Sequence, residues 1–360
     1  MSALTGGRTM GRADGQTPVR SRCEVMARKR DGAYYRLSFS AREIAERARP
    51  GQFVQVDVQA PHTLLRRPFS IAGVSRQGPG AGTVEIVFDA HGPGTEWLTS
   101  VSVHDVLDVI GPLGTAFPLP QRKVNCLLVG GGYGVAPLFY LGEHLLRRGL
   151  RVDMIAGAAT GDRLLGIIEA KRLSASSTFT TEDGSYGVRG RVTDVLTDVA
   201  SATKASVVYA CGPNPMLRAV SEACQQLELP VQVAVEELMA CGIGVCFTCV
   251  LPMRGRSDGV RMKRTCLEGP VFNGARIAWD QSRYAVGPGT RDGAEQDPAG
   301  DDRPTDAELW GEADGPTDQK RSGEEGGPAD GKRWPEGDGP TDGKRHEEDG
   351  PTDEKRWGQA

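Results

Sequence analysis

The hydrophobic pattern of the chain changes character twice. From Cys23 to about Phe117 apolar and polar residues alternate in short runs separated by turn residues. Tyr34, Leu37 and Phe39, with Arg36 between them, mark one run. Phe53, Val54, Val56 and Val58, opened by Pro50-Gly51, mark another. Thr83–Phe88 alternates, and so does Val101–Val103 leading into Val106–Ile110. Alternation of period two sends successive side chains to opposite faces of a strand, so each run predicts a half-buried strand. Several such strands at regular spacing predict a small antiparallel barrel or sandwich.

Near Val124 the alternation stops. Val124-Asn125-Cys126-Leu127-Leu128-Val129 is a nearly continuous apolar run, as expected of a strand covered on both faces. A glycine turn follows, and then Leu138, Phe139, Leu141, Leu145 and Leu146 recur at helical spacing up to Gly149. Arg151–Gly157, Ser206–Ala210 and Val231–Val235 predict further strands, and Pro215–Leu227 a further helix. Strands alternating with helices predict a parallel α/β domain.

Residues 236–280 have little regular pattern, and after Asp280 apolar content collapses. The last part of the chain carries a degenerate repeat, seen in Pro340-Thr341-Asp342-Gly343-Lys344-Arg345 and Pro351-Thr352-Asp353-Glu354-Lys355-Arg356. Such units cannot bury a core and predict a low-complexity, disordered tail. The predicted organisation is therefore a disordered leader (1–20), a β domain (21–120), an α/β domain (121–235), a small cysteine-rich subdomain (236–280) and the tail (281–360).

The chain has 43 Lys+Arg and 47 Asp+Glu, a net charge of −4. That balance hides an asymmetry. Residues 281–360 hold 21 acidic and 11 basic residues, a net of −10, which leaves the rest at +6. No basic stripe with interleaved aromatics is present, which argues against nucleic acid as a partner. No apolar run of about 18 residues exists, so no membrane-spanning helix is expected. Met1–Arg20 lacks the apolar segment of a secretory signal, so a cytoplasmic, reducing location is expected. In that setting the eight cysteines are expected to bind metal or fill core rather than form disulfides.

Four of those cysteines form a pattern. Cys241, Cys246 and Cys249 read C-x4-C-x2-C, and Cys266 follows after 16 intervening residues. This is the spacing of plant-type [2Fe–2S] ligation. Three thiolates around one small cluster require a tightly curled backbone, which Gly242 and Gly244 permit. Amides turned toward the sulfurs would offset the cluster's negative charge. Structural zinc usually shows two C-x2-4-C pairs, and a triplet with a solitary fourth thiol fits that pattern less well. Iron–sulfur ligation, zinc and unrelated core cysteines are the three readings. Arg254, Arg256, Arg261, Lys263 and Arg264 lie between the third and fourth thiols, where cations would neutralise a cluster or face a partner. Cys126 and Cys224 fall within apolar elements and read as small core residues.

Other segments suit nucleotides. Arg66-Arg67-Pro68-Phe69-Ser70 offers a cation for a flavin's pyrophosphate and a hydroxyl for its reactive ring, on a proline-stiffened segment. His91-Gly92-Pro93-Gly94-Thr95 allows close backbone approach and adds a hydroxyl, as a phosphate site needs. Gly111–Phe117 is a second glycine turn. In Val129-Gly130-Gly131-Gly132-Tyr133-Gly134 a buried strand runs into glycines, and a helix is predicted from Pro137, whose first amides would face a pyrophosphate. Cys211-Gly212-Pro213 ends another strand at its carboxyl edge, where open α/β sheets bind ligands. His62 and His91 flank the flavin segments and read as surface loop residues.

The order of a flavin barrel, a nucleotide sheet and a C-terminal cysteine loop resembles the ferredoxin–NADP⁺ reductase superfamily, and within it the electron-transfer subunits of dihydroorotate dehydrogenase B. The resemblance rests on R-P-F-S at Arg67–Ser70, G-G-G-Y-G-V-A-P-L at Gly130–Leu138, C-G-P at Cys211–Pro213, and C-G-I-G-V-C-F-T-C at Cys241–Cys249 with C-L-E-G-P-V-F at Cys266–Phe272. It implies FAD at Arg67, Pro68, Phe69, Ser70, Val87, Phe88, Asp89, Gly94 and Thr95. It implies NAD at Gly130, Gly131, Gly132, Gly134, Cys211 and Gly212, the last thiol–glycine pair near the nicotinamide. The [2Fe–2S] cluster falls to Cys241, Cys246, Cys249 and Cys266. Two residues depart from the usual pattern: Asp89 stands where a basic or neutral residue is common, and Tyr133 replaces an aliphatic one. The implied activity is an electron relay serving pyrimidine synthesis, from the FMN of a dihydroorotate dehydrogenase catalytic subunit through the cluster and FAD to NAD⁺, in a heterotetramer. Reductase subunits of hydrogenase or ferredoxin transhydrogenase complexes use the same cofactors, and a zinc-stabilised interaction module is the reading outside enzymes. Truncation after about Asp280 is expected to leave flavin and iron content unchanged, as absorbance and metal analysis of the shortened chain would show. Flavin loss would make the tail structural.

Overall fold

The computed structural model describes residues 17–282 apart from Pro79 and residues 256–258. Most of the predicted leader and nearly all of the predicted tail lie outside the described residues.

Six strands form a closed barrel: β1 (Val19–Asp31), β2 (Tyr34–Ser40), β3 (Phe53–Val56), β4 (Arg67–Ser75), β5 (Thr83–Phe88) and β6 (Val106–Leu113), in the order β1-β2-β5-β4-β3-β6. Every pairing within it is antiparallel. The alternation read from the sequence decides which side chains enter it. Val25, Leu37, Phe39, Val54, Val56, Ile71, Val84, Ile86, Leu107 and Val109 share one core. Closure resolves the choice between barrel and sandwich, and it removes the exposed strand edges that an open sheet would leave. Two expectations change. Val19 and Arg20 belong to β1 rather than to a leader, because they pair with Gly111 and Ile110 of β6. Val101–Val103 is not strand. It follows helix α2 (Pro93–Ser100), where Pro93 supplies a helical φ in the first turn. Val101 is buried where that helix ends, and the strand begins only at Val106. A short helix α1 (Arg42–Arg47) links β2 to β3.

The second half is a seven-stranded sheet. β7 (Asn125–Gly131) leads through a tight turn (Gly132–Val135) into α3 (Ala136–Arg147). β8 (Arg151–Ala158), α4 (Ile167–Leu173), β9 (Ser177–Thr181), β10 (Val188–Arg189) and α5 (Val192–Ala202) follow. The sheet continues with β11 (Val207–Cys211), α6 (Asn214–Gln226) and β12 (Val231–Ala234). Burial on both faces explains the apolar run in β7. Cys126 and Leu128 pack with Leu138, Leu141 and Leu145 of α3, whereas Leu127 and Val129 pack with Leu196 of α5 and Leu217 of α6.

The cysteine-rich segment adds the hairpin β13 (Val250–Arg254) and β14 (Val260–Arg264), the one-turn helix α7 (Thr265–Glu268) and β15 (Val271–Asn273). Strand order in the sheet is β10-β9-β8-β7-β11-β12-β15. Only β15 runs antiparallel, with Val233 opposite Phe272. Through β15, the segment from residue 236 on adds an edge strand to the nucleotide sheet. Buried tyrosines tie barrel to sheet: Tyr140 donates to Ala48 O at 2.9 Å and Tyr209 to Pro118 O at 2.8 Å. Among the described residues no helix is long and apolar enough to cross a membrane.

Candidate functional site

From β7 the chain moves outward to β8 on one side and later returns to β11 on the other. The carboxyl ends of β7 and β11 therefore flank a topological switch point, the place where open α/β sheets take ligands. The glycine turn and Cys211 stand there side by side. A Cβ on Gly134 would lie 2.6 Å from Gly212 Cα, so the two turns can meet only through glycine. Gly130 and Gly131 back onto Val135 and Met216 and hold the turn in shape.

A cleft of about 390 Å³ opens between this point and the barrel. Arg67, Pro68, Phe69 and Ser70 of β4 line it, as do Val87, Phe88 and Asp89 at the end of β5, Thr95 of α2, Gly134 and Cys211. These ten residues, separated by up to 144 positions in the chain, are brought together. Gly94 is placed just behind, with Arg67 Nε 3.3 Å from where its Cβ would be. Gly130, Gly131, Gly132 and Gly212 shape the turns without lining the cleft. His91 lies on the cleft wall, whereas His62 sits in an exposed turn with φ of 63°.

The adjacent arginines do different work. Arg66 binds Asp108 through Nη2–Oδ1 at 3.0 Å. Arg20 binds the same carboxylate, and its hydrogen bond, with Arg66 beside it, holds Asp108 below the usual carboxylate range. Arg67 donates to Leu65 O at 2.8 Å, and among the described residues no carboxylate pairs with it. Its charge is thus available to an anion in the cleft.

Asp89 is neutralised from the nucleotide side. Arg163 Nη2 lies 2.6 Å from its Oδ2, and Tyr34 Oη donates to Arg163 O at 3.0 Å. Tyr133, the other departure from pattern, lines the cleft edge-on to Tyr34 at 5.8 Å. Burial pushes the Cys211 thiol up, so it stays protonated at neutral pH.

Glu236 and Glu237 also line the cleft, and the sequence pattern had not singled them out. Two carboxylates directly after the apolar run Val231–Val235 were the available signal. Glu236 is exposed as a residue, yet desolvation of its carboxyl at the cleft raises its pKa from 4.5 to about 7. The folded chain therefore holds this proton more tightly than the unfolded chain does. Its contribution to stability is complete below pH 4.5 and is lost as pH rises through about 7. Glu236→Gln is expected to flatten that part of the stability profile and to melt above the wild type at pH 8. Thermal melts from pH 5 to 8 check this, and parallel profiles for both proteins would contradict it.

The cysteine loop lies on the outer side of the barrel. Cys249 and Cys266 are buried against Phe53 of β3 and Leu113 of β6. Gly242 and Gly244 have φ of 67° and 87°, the left-handed values that the curled loop requires. The Thr248 hydroxyl donates to Cys246 Sγ at 3.2 Å and, with Cys241, holds that thiol at about 6. Cys249 is held low by its hydrogen bond with Cys266, which is pushed up in turn. Thiolates are the metal-binding form, so two of the four positions are already biased toward ligation. The thiols stand as two pairs, Cys241 with Cys246 and Cys249 with Cys266. Among the described residues no group of three or more His, Cys, Asp or Glu side chains is closed around a metal position.

The intervening cations divide. Arg264 donates to Gly244 O at 3.0 Å and stacks on Phe247, while Lys263 pairs with Glu268 and Arg254 with Asp280. Arg256 lies outside the described residues. Cys23, Cys126 and Cys224 are buried core thiols.

Comparison with known proteins gives a consistent picture. Residues 236–278 match the iron-sulfur cluster binding domain of dihydroorotate dehydrogenase B, and residues 128–222 match the oxidoreductase NAD-binding domain. The chain is 39% identical over 247 residues to the dihydroorotate dehydrogenase B (NAD(+)) electron transfer subunit of Geobacillus thermodenitrificans, covering 68% of this chain and 92% of that one. It is 38% identical over 241 residues to the same subunit of Shouchella clausii, covering 66% and 90%. Among solved structures it is similar to an NADH-dependent reduced ferredoxin-NADP oxidoreductase, with a TM-score of 0.62 at 27% identity over 74% of this chain and 92% of that one.

Proposed function

The chain belongs to the family of dihydroorotate dehydrogenase B electron transfer subunits, and on that basis we propose that it passes electrons from the FMN of a dihydroorotate-oxidising partner to NAD⁺. It is an NAD-linked oxidoreductase subunit whose cofactors are a [2Fe–2S] cluster, FAD and NAD. When bound, these groups convert one-electron delivery into two-electron transfer, chemistry that side chains alone cannot supply.

The observation that carries the reading is the position of Phe53. It packs with Cys249 and Cys266 on one side, lines the cleft on the other, and pairs with Ser70 in the β3–β4 ladder. One side chain therefore separates the thiol site from the flavin segment. Arg67 is assigned to the flavin pyrophosphate and Ser70 to the reactive ring. Thr95 supplies a polar wall. Gly134 and Cys211 form the floor for the nicotinamide, with the thiol kept neutral by burial. The four cysteines of the loop and α7 are assigned to the cluster.

The catalytic partner is assigned to the cysteine loop. Val245 is 70% exposed, Phe247 61% and, on the adjacent hairpin, Met262 57%. Apolar exposure of this kind beside a buried site marks a protein contact. We place the complex in the cytoplasm, as a heterotetramer of two copies of each subunit, serving pyrimidine nucleotide (UMP) synthesis. Co-expression with the FMN subunit is expected to give a stable complex that forms NADH from dihydroorotate. A chain that binds no such subunit and takes electrons from another donor would overturn the assignment.

A further inference from the structure

β3 carries two different surfaces. Val54 and Val56 enter the barrel core. Phe53 and Gln55 alternate with them and face the cysteine-rich segment. Phe53 meets Cys249 and Cys266. The Gln55 side chain lies on Gly242, the residue after Cys241, so closely that a Cβ on Gly242 would stand 2.4 Å from Nε2. Gln55 is 1% exposed, and among the described residues neither its Nε2 nor its Oε1 has a hydrogen-bond partner. Leaving a buried amide unsatisfied carries its full desolvation penalty, and a methionine would fill this space without that cost. An unpartnered carboxamide pressed against a metal-type thiol loop is therefore a donor directed at something the loop holds.

We propose that Gln55 is a hydrogen-bond donor to the sulfurs held by the Cys241 loop, and that it sets the reduction potential of the iron–sulfur group from the barrel side. The inference rests on the cluster assignment above. A donor to sulfur favours the more negatively charged, reduced state and so raises the potential. Gln55 also pairs with Pro68 of the flavin segment, so its strand borders both redox sites. Glycine at 242 is needed for the same contact, because any side chain there would displace the amide.

The test uses the purified full-length chain and its Gln55→Met variant in anaerobic redox titrations followed by electron paramagnetic resonance. Iron and sulfide per chain and the flavin spectrum are expected to match the wild type. At the wild-type midpoint the reduced-to-oxidised ratio is expected to fall about tenfold, a shift of about 59 mV to lower potential for a one-electron couple. A fully loaded variant with an unchanged midpoint and unchanged g values would overturn the proposal. Should the variant fail to load or fold, wild-type protein labelled with ¹⁵N in the glutamine side chain decides the matter. A ¹⁵N coupling to the reduced cluster supports the donor, and its absence overturns it. Wild-type protein without iron would instead bring down the cluster assignment itself.

Discussion

Cys241→Ser is expected to lower dihydroorotate-dependent NADH formation by the assembled complex at least about a hundredfold. A serine hydroxyl stays protonated at neutral pH and is a poor match for iron, which soft thiolates select. The substitution also removes one of the groups that hold Cys246 low. Cys241 lies on a partly exposed loop, outside the barrel and sheet cores, so the fold should survive. Iron and sulfide should fall while FAD is retained, because the residues lining the cleft sit on other elements. NADH-driven reduction of a small artificial acceptor should therefore persist when turnover with dihydroorotate does not. Unchanged iron content and unchanged turnover would mean that electrons do not pass this loop.

Arg67→Ala is expected to weaken FAD binding roughly tenfold to a hundredfold, the worth of a charge-assisted contact to an ionised phosphate. Arg66→Ala serves as its control. Arg66 is held by Asp108, which keeps Arg20 as a second partner, so its loss should cost stability of about 1 kcal/mol or less and leave flavin in place. Reconstitution of flavin-free protein with FAD, followed by flavin fluorescence, measures both variants. Flavin lost from the Arg66 variant and kept by the Arg67 variant would reverse the two roles.

Much of the architecture could be read from the chain because two periods are physically distinct. Alternation in Thr83–Phe88 marks a strand with one dry face, and the unbroken Leu127-Leu128-Val129 marks one with two. The thiol spacing was legible because three ligands for one small cluster can be supplied by a single short curled loop. What could not be read depended on distant partners. Val101–Val103 alternates for only three residues, too few to outweigh a proline-started helix just before it. β15 is three residues long and becomes a strand only because β12 leaves an edge open beside it. Arg66 and Arg67 are neighbours with different surroundings, and the position of Asp108 is what separates them. Glu236 gains its raised pKa from desolvation at the cleft, which no local pattern announces. Gln55 reads as an ordinary polar position in a strand until the cysteine loop covers that face.

The most direct measurement is electron paramagnetic resonance of the full-length chain with its proposed FMN-containing partner, purified without oxygen and reduced with NADH, alongside metal and flavin analysis. The expected result is about one unpaired electron per chain in a [2Fe–2S] signal, with two irons and one FAD. Colourless protein with stoichiometric zinc, or flavin that reduces normally while no iron signal forms, would contradict it.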